Sequence, residues 1–186
     1  SERKGVYGSA ASQGLGEAIA IADFFDDLGT DEIAIGAVGT SPSDATNPPG
    51  RVYVLNVPAT FIESDVADLA TASGVHRIRG HEKNDFFGFS LAAGDFDKDG
   101  AADLAVGAIY ADNKASETNC ANATDLKNAG AVYVFTSADL LCVSTADPSS
   151  PVGSDPDARR LASRAFYGRR QWDELGFSLA SGDLNH

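Results

Sequence analysis

Short apolar runs alternate along the chain with polar stretches rich in Ser, Asp, Thr and Pro. Glu17–Ala22 and Phe89–Ala93 are small and mostly apolar, and Ile33–Ala37 and Leu104–Ala108 are apolar throughout. Val52–Leu55 and Val132–Phe135 are β-branched and aromatic. Runs of this length and make-up predict strands. Further strands are expected at Val75–Arg79 and near Arg160–Phe166. The main helical candidate is Phe61–Ala72, where Ser64–Leu69 has room for a turn or two; Asp125–Lys127 is too short to assign. Ser41–Pro49 and Ala146–Asp157 read as surface loops.

The pattern repeats. Leu15-Gly16-Glu17-Ala18-Ile19-Ala20-Ile21-Ala22-Asp23 returns as Phe87-Gly88-Phe89-Ser90-Leu91-Ala92-Ala93-Gly94-Asp95. It returns again as Leu175-Gly176-Phe177-Ser178-Leu179-Ala180-Ser181-Gly182-Asp183. The first two copies continue alike, through Ile33–Ala37 and Leu104–Ala108 to Gly50-Arg51-Val52-Tyr53 and Gly130-Ala131-Val132-Tyr133. The second copy carries extra residues between Gly107 and Gly130. Ordered landmarks recurring in units of about four strands predict an all-β fold of β-propeller blades. The units are placed at about 12–80 and 84–166, with a partial unit at 172–186, in one propeller segment.

Charge narrows the partners. The 186 residues hold 27 Asp+Glu against 14 Lys+Arg, a net charge of −13. Nucleic acid and anionic membrane surfaces require basic residues to replace counterions, so the acidic balance disfavours both as partners. No apolar run approaches the roughly 18 residues of a spanning helix, so no membrane insertion is expected. At 43% hydrophobic the chain can nonetheless bury a core. With no initiator Met, the N-terminus is expected to arise from processing or proteolysis.

The acidic residues cluster where chemistry is expected. In Asp95-Phe96-Asp97-Lys98-Asp99-Gly100-Ala101-Ala102-Asp103 the carboxylates fall at positions 1, 3, 5 and 9. Gly100 permits a tight turn that leaves the Ala101 carbonyl facing inward. Hard oxygen donors in that number suit Ca²⁺. Two carboxylates ~4 Å apart repel by about 4 kcal/mol at an effective dielectric near 20, so a cation would relieve the loop. An EF-hand needs Glu at position 12, where Val106 stands in an apolar strand. A strand–loop–strand site closed by Asp103 fits better. The same register in the first unit reads Asp23, Phe25, Asp27, Gly29 and Asp31, a degenerate site. The third unit offers only Asp183 and Asn185 before the sequence ends.

Phe87-Gly88, the Asp95–Asp103 loop with Leu104, and Gly107-Ala108 together resemble the FG-GAP repeat of integrin α-subunit β-propellers and their bacterial relatives. The motif's Gly-Ala-Pro becomes Gly36-Ala37-Val38 and Gly107-Ala108-Ile109, and its first Phe-Gly becomes Leu15-Gly16. The resemblance implies a seven-bladed propeller with structural calcium in the hairpin loop between a blade's first two strands. It also implies an extracellular or cell-surface setting and a role in adhesion or protein–protein assembly. Its partners would be a protein ligand or further subunits, met at loops such as Arg79–Phe86 and Ile109–Ala129 on the opposite face. Seven blades need more than 186 residues, so this chain is expected to be a piece of a propeller or one part of an assembly. In such a secreted-type array, Cys120 and Cys142 are expected to form a disulfide, the alternative being two free thiols. Asn122-Ala123-Thr124 is a glycosylation sequon if the source is a eukaryotic secretory pathway.

No catalytic constellation stands out. Gly88-Phe89-Ser90-Leu91-Ala92 faintly resembles a nucleophile elbow, with His76 and His81 upstream. The string recurs at Gly176–Ala180, and Ala18 takes the Ser position in the first unit, which marks Ser90 as a strand residue. His76 and His81 are expected on a strand edge and a loop, and Trp172 at a blade boundary. Arg159-Arg160 and Arg169-Arg170 are expected to lie on a solvated face. The alternative to an adhesion module is an accessory propeller of a secreted hydrolase or lyase whose catalytic domain lies elsewhere. A third reading is a structural subunit of a surface filament.

Overall fold

The computed structural model describes residues 5–7, 14–25, 30–39, 49–56, 66–69, 72, 74–114, 125–143 and 155–182. Two antiparallel four-stranded sheets form its centre. The first holds β2 (Leu15–Ala22), β3 (Glu32–Ala37), β4 (Arg51–Leu55) and β6 (Val75–Arg79), in that spatial order. The second holds β7 (Phe87–Gly94), β8 (Asp103–Ala108), β9 (Ala131–Phe135) and β10 (Arg164–Tyr167), again side by side. Each is an up-and-down meander of the kind expected for a blade, and neither closes on itself. A third, two-stranded element pairs β1 (Gly5–Tyr7) in parallel with β5 (Val66–Asp68).

That last pairing corrects an expectation. Within the helical candidate Phe61–Ala72, Val66–Asp68 is a strand, hydrogen-bonded to a segment far away in sequence. Arg77 holds the chain just after it. Its guanidinium is buried and donates to the carbonyls of Leu69 at 2.7 Å, Ala72 at 2.7 Å and Val75 at 3.2 Å. Two short helices also occur, α1 (Ser137–Cys142) and α2 (Ala158–Leu161). Thr136 and Asp139 form a reciprocal capping box that starts α1, and Asp157 caps α2. The strand expected near Arg160–Phe166 is thus a helical turn followed by β10.

Every residue of β4 is buried, because both faces of the first sheet are covered. Val52 and Val54 face the second sheet, in one core with Phe87, Leu91, Leu104, Val106 and Phe135. Tyr53 and Leu55 face the other way, packing with Ile35, Leu69 and Val75. Phe87 is fully buried and meets Tyr133 and Phe135 edge-on, with ring centroids 5.7 and 6.2 Å away. Burying one such side chain contributes roughly 1.5–3 kcal/mol.

Gly36, next to the last residue of β3, lets the sheets approach closely. A methyl group there would overlap the carbonyl of Gly88 on β7. Gly107 on β8 stands in the same relation to Gly176, so one contact recurs from unit to unit. Ser90 reinforces the second contact, its hydroxyl donating to the Gly176 carbonyl at 2.6 Å. Ser90 is therefore a strand residue that locks neighbouring units. Trp172, expected to pack at a boundary, is 61% exposed.

Candidate metal centre

The turn from β7 to β8 carries the acidic loop. Left-handed backbone at Lys98 (φ 67°) and Gly100 (φ 99°) curls it back on itself. Asp95 organises the curl: one carboxylate oxygen accepts from the N–H groups of Lys98 at 2.6 Å and Asp99 at 3.1 Å. Its other oxygen accepts from Gly100 N–H at 3.1 Å. Asp97 accepts from Asp99 N–H at 3.1 Å, and Asp99 from Ala101 N–H at 2.9 Å. These turns gather oxygens of Asp95, Asp97 and Asp99 within 4.8 Å of one another at an exposed position. It is the one such group among the described residues. Ser137, at the start of α1, donates its hydroxyl to Asp99 at 3.1 Å and steadies the cluster from the side.

Asp103 stands apart from that group. It is fully buried at the first position of β8. One oxygen accepts from the N–H groups of Phe96 at 2.7 Å and Asp97 at 3.2 Å; the other accepts from Ser137 N–H at 3.1 Å. Burial pushes its carboxyl above the usual range, against the backbone donors of Phe96 and Ser137, and Asp97 adds to the rise. In these positions Asp103 staples both ends of the loop and the start of α1. Of the five expected ligand residues the structure thus brings three carboxylates together, with Ala101 following them on the loop.

The three converging carboxylates are hard oxygen donors on an exposed turn, a donor set that fits Ca²⁺. Bound there, the ion would supply positive charge that offsets carboxylate repulsion. Asp95, Asp97 and Asp99 would hold it. Asp103 would keep the turn closed around them.

In the first sheet the register differs from the one expected. Ala22 pairs with Glu32 as Gly94 pairs with Asp103, so the closing position falls on Glu32 and not on the exposed Asp31. Glu32 is fully buried and accepts from the N–H groups of Phe24 at 2.8 Å and Phe25 at 3.2 Å. Phe24 and Phe25 fill this loop with buried rings where the second loop carries the exposed Phe96 and Asp97. The backbone carbonyl of Asp23 accepts from Ala102 N–H at 3.0 Å and joins the two loops. Asp27 and Gly29 lie outside the described residues, as do Asp183, Asn185, Asn122 and Cys120. Cys142 is an exposed free cysteine at the end of α1, and its expected partner Cys120 lies outside the described residues.

His76 and His81 are each held by a neighbouring group. His76 on β6 donates Nδ1–H to the Val143 carbonyl at 2.7 Å and packs on Phe25, with centroids 4.4 Å apart. Burial lowers its pKa. His81 sits in the loop after β6, its Nδ1 3.0 Å from Asp157. Sequence reasoning passed over Glu32 because it shifts the register by one, and Ser137 because it comes from another element. The Thr136–Asp139 spacing was a visible signal for the helix that delivers Ser137.

Among the described residues no helix is long and apolar enough to cross a membrane. No curated protein matches the chain. Residues 87–135, spanning β7 to β9, match the family model described as FG-GAP repeat, a non-catalytic repeat of β-propeller-type modules that occurs in extracellular proteins. The chain therefore carries an FG-GAP repeat, and Asp95, Asp97 and Asp99 lie within it.

Proposed function

We propose that this chain is a non-catalytic, calcium-stabilised propeller module that works outside the cell in adhesion or protein–protein assembly. The observation that carries the reading is the convergence of Asp95, Asp97 and Asp99 on a hairpin loop inside an FG-GAP repeat. Calcium's role is structural: it offsets charge repulsion on a loop whose backbone is already curled by its own side chains. At tenfold saturation a single ion adds ~1.4 kcal/mol to the folded state.

An assembly role is supported by the outer surfaces. Ile19 and Ile21 on β2 are 59% and 60% exposed, whereas Leu91, which stands on β7 where Ile19 stands on β2, is 9% exposed under the first sheet. Phe166 and Phe177 are exposed at the far side of the second sheet. Further blades, in the same polypeptide or in another subunit, are the partners that repeat this packing. Thermal melting with calcium and with excess EDTA tests the calcium reading. A melting temperature that rises with calcium and falls with EDTA supports it; identical curves would dismiss it.

A further inference from the structure

At the end of the first sheet remote from the acidic loop, Arg51 on β4 pairs with Arg79 on β6. The segment leading into α2 closes over this end. Arg79 donates its backbone N–H to the Pro156 carbonyl at 3.0 Å and bridges in parallel to Asp157. A cavity of ≈ 510 Å³ opens there, lined by Arg79, His81, Arg160, Pro156 and Leu161 and also by Asp155 and Asp157. That volume falls within the usual range for small-ligand sites.

Both aspartates are already committed. Asp155 accepts from Arg51 Nε at 2.8 Å, in a pair that is almost fully buried. Asp157 accepts from the N–H of Arg159 at 3.0 Å and faces His81 Nδ1 at 3.0 Å. The neighbouring Glu82 is held by Lys114. The guanidinium groups are less well matched. Arg79 reaches Asp157 at only 3.4 Å, and its Nε is buried without a hydrogen-bond partner among the described residues. Arg160 is exposed, and none of the described residues accepts from its side chain. Three arginines thus meet two carboxylates, in a chain whose net charge is −13.

We propose that this cavity binds a carboxylate carried on a short aliphatic stem. Arg160 presents the planar N–H fork that carboxylates accept in pairs, Arg79 adds its positive charge from the wall, and Pro156 and Leu161 cover the methylenes. Nothing in the site depends on the acidic loop, so the proposal stands apart from the calcium reading.

Titration calorimetry on the full chain tests it with three probes: a capped Gly-Glu-Gly peptide, its Gly-Gln-Gly counterpart, and glutarate. The Glu peptide should bind at least about tenfold more tightly than the Gln peptide. Arg160→Glu should weaken binding by about tenfold or more, and Arg160→Lys by less, because Lys keeps the charge but loses the fork. Arg160 is exposed, and unchanged melting temperatures would show that both variants fold. Glutarate binding as well as the peptide would support the proposal and assign the site to free acids; binding of the peptide alone would support it and assign the site to a protein chain. Equal affinity for Glu and Gln peptides, an unchanged affinity in Arg160→Glu, or no binding of any probe would overturn it.

Discussion

The Glu32 carboxylate occupies in the first sheet the place that Asp103 occupies in the second. Each is fully buried at the start of its strand, and each accepts two successive backbone N–H groups from the loop before it: Phe24 and Phe25 for Glu32, Phe96 and Asp97 for Asp103. The first loop is one residue longer between its paired ends, and the closing side chain is one methylene longer. The bonds are kept although the rest of the first loop has exchanged exposed chemistry for buried rings. The staple therefore belongs to the fold, and the carboxylate cluster is an addition made in the second loop.

Removing the charge from this staple should destabilise the chain even without a metal. Asp103→Asn turns an acceptor into an amide that can accept at only one of its two ends, leaving a buried donor facing Phe96 N–H or Ser137 N–H. The expected loss is about 2–3 kcal/mol in denaturant unfolding, or roughly 4–12 °C in melting temperature. Glu32→Gln should cost less, because Oε2 alone accepts both N–H groups and an amide oxygen can take its place. A loss that appears only when calcium is present would show that Asp103 acts as a ligand and not as a staple.

How far the sequence foretold this arrangement depended on the range of the interactions. The strands Val52–Leu55, Val75–Arg79 and Leu104–Ala108 lie where their apolar runs predict, because local composition and burial on both faces agree. The β1–β5 pair was not legible: three residues at each end of a long separation carry no periodicity to betray their pairing. In the first loop, counting positions from Asp23 led to Asp31, since spacing alone does not reveal a one-residue insertion made good by a longer side chain. Ser137 and Arg160 reach their sites from elements distant in sequence, so no motif contains them.

The close approach between units predicts two glycine variants of opposite severity. Gly36→Ala would drive a methyl into the Gly88 carbonyl, and neither backbone can retreat without breaking strand pairing. Loss of several kcal/mol, on the order of overpacked core sites or more, is expected. Gly100→Ala meets no neighbouring atom, and its cost comes from the left-handed backbone alone, about 1 kcal/mol. Equal destabilisation in urea melts would contradict the packing described here.

Cys142 should react with a maleimide in the folded, unreduced chain, and reductant should leave the melting temperature unchanged. Resistance to labelling until a reductant is added would restore the bridge to Cys120.

Charge in the acidic loop should act with opposite sign with and without the ion. In EDTA, Asp97→Asn relieves repulsion among three clustered carboxylates and should raise the melting temperature slightly. In excess calcium the same variant gives up a charged donor and should melt below the unaltered chain. A variant that melts below it in both conditions would mean that the Asp97 hydrogen bond to Asp99 outweighs its electrostatics.

Asp85 sets a pH dependence that is separate from the loop. Only 4% of it is exposed, and it accepts one bond of 3.2 Å from Glu82 N–H. Burial pushes its carboxyl up to about 7, helped by Glu82 and Asp112 and opposed by the Glu82 N–H and by Arg159. A folded-state value above the unfolded one means that the folded chain holds a proton the unfolded chain releases between about pH 4 and 7. Its contribution is therefore fully present below pH 4 and is lost as the pH rises through 7, where ionisation in a buried site opposes folding. His76 works the other way: its lowered pKa makes acid favour the unfolded chain below its ordinary value near 6.5. Asp85→Asn cannot ionise and can still accept from Glu82. It should match the unaltered chain near pH 4 and exceed it at pH 8, by up to roughly 4 kcal/mol. With Asp85 removed, the fall in stability on acidification that His76 causes should stand out more steeply between pH 7 and 5. A stability difference that stays constant from pH 4 to 8 would show that Asp85 is ionised throughout and that burial does not govern it.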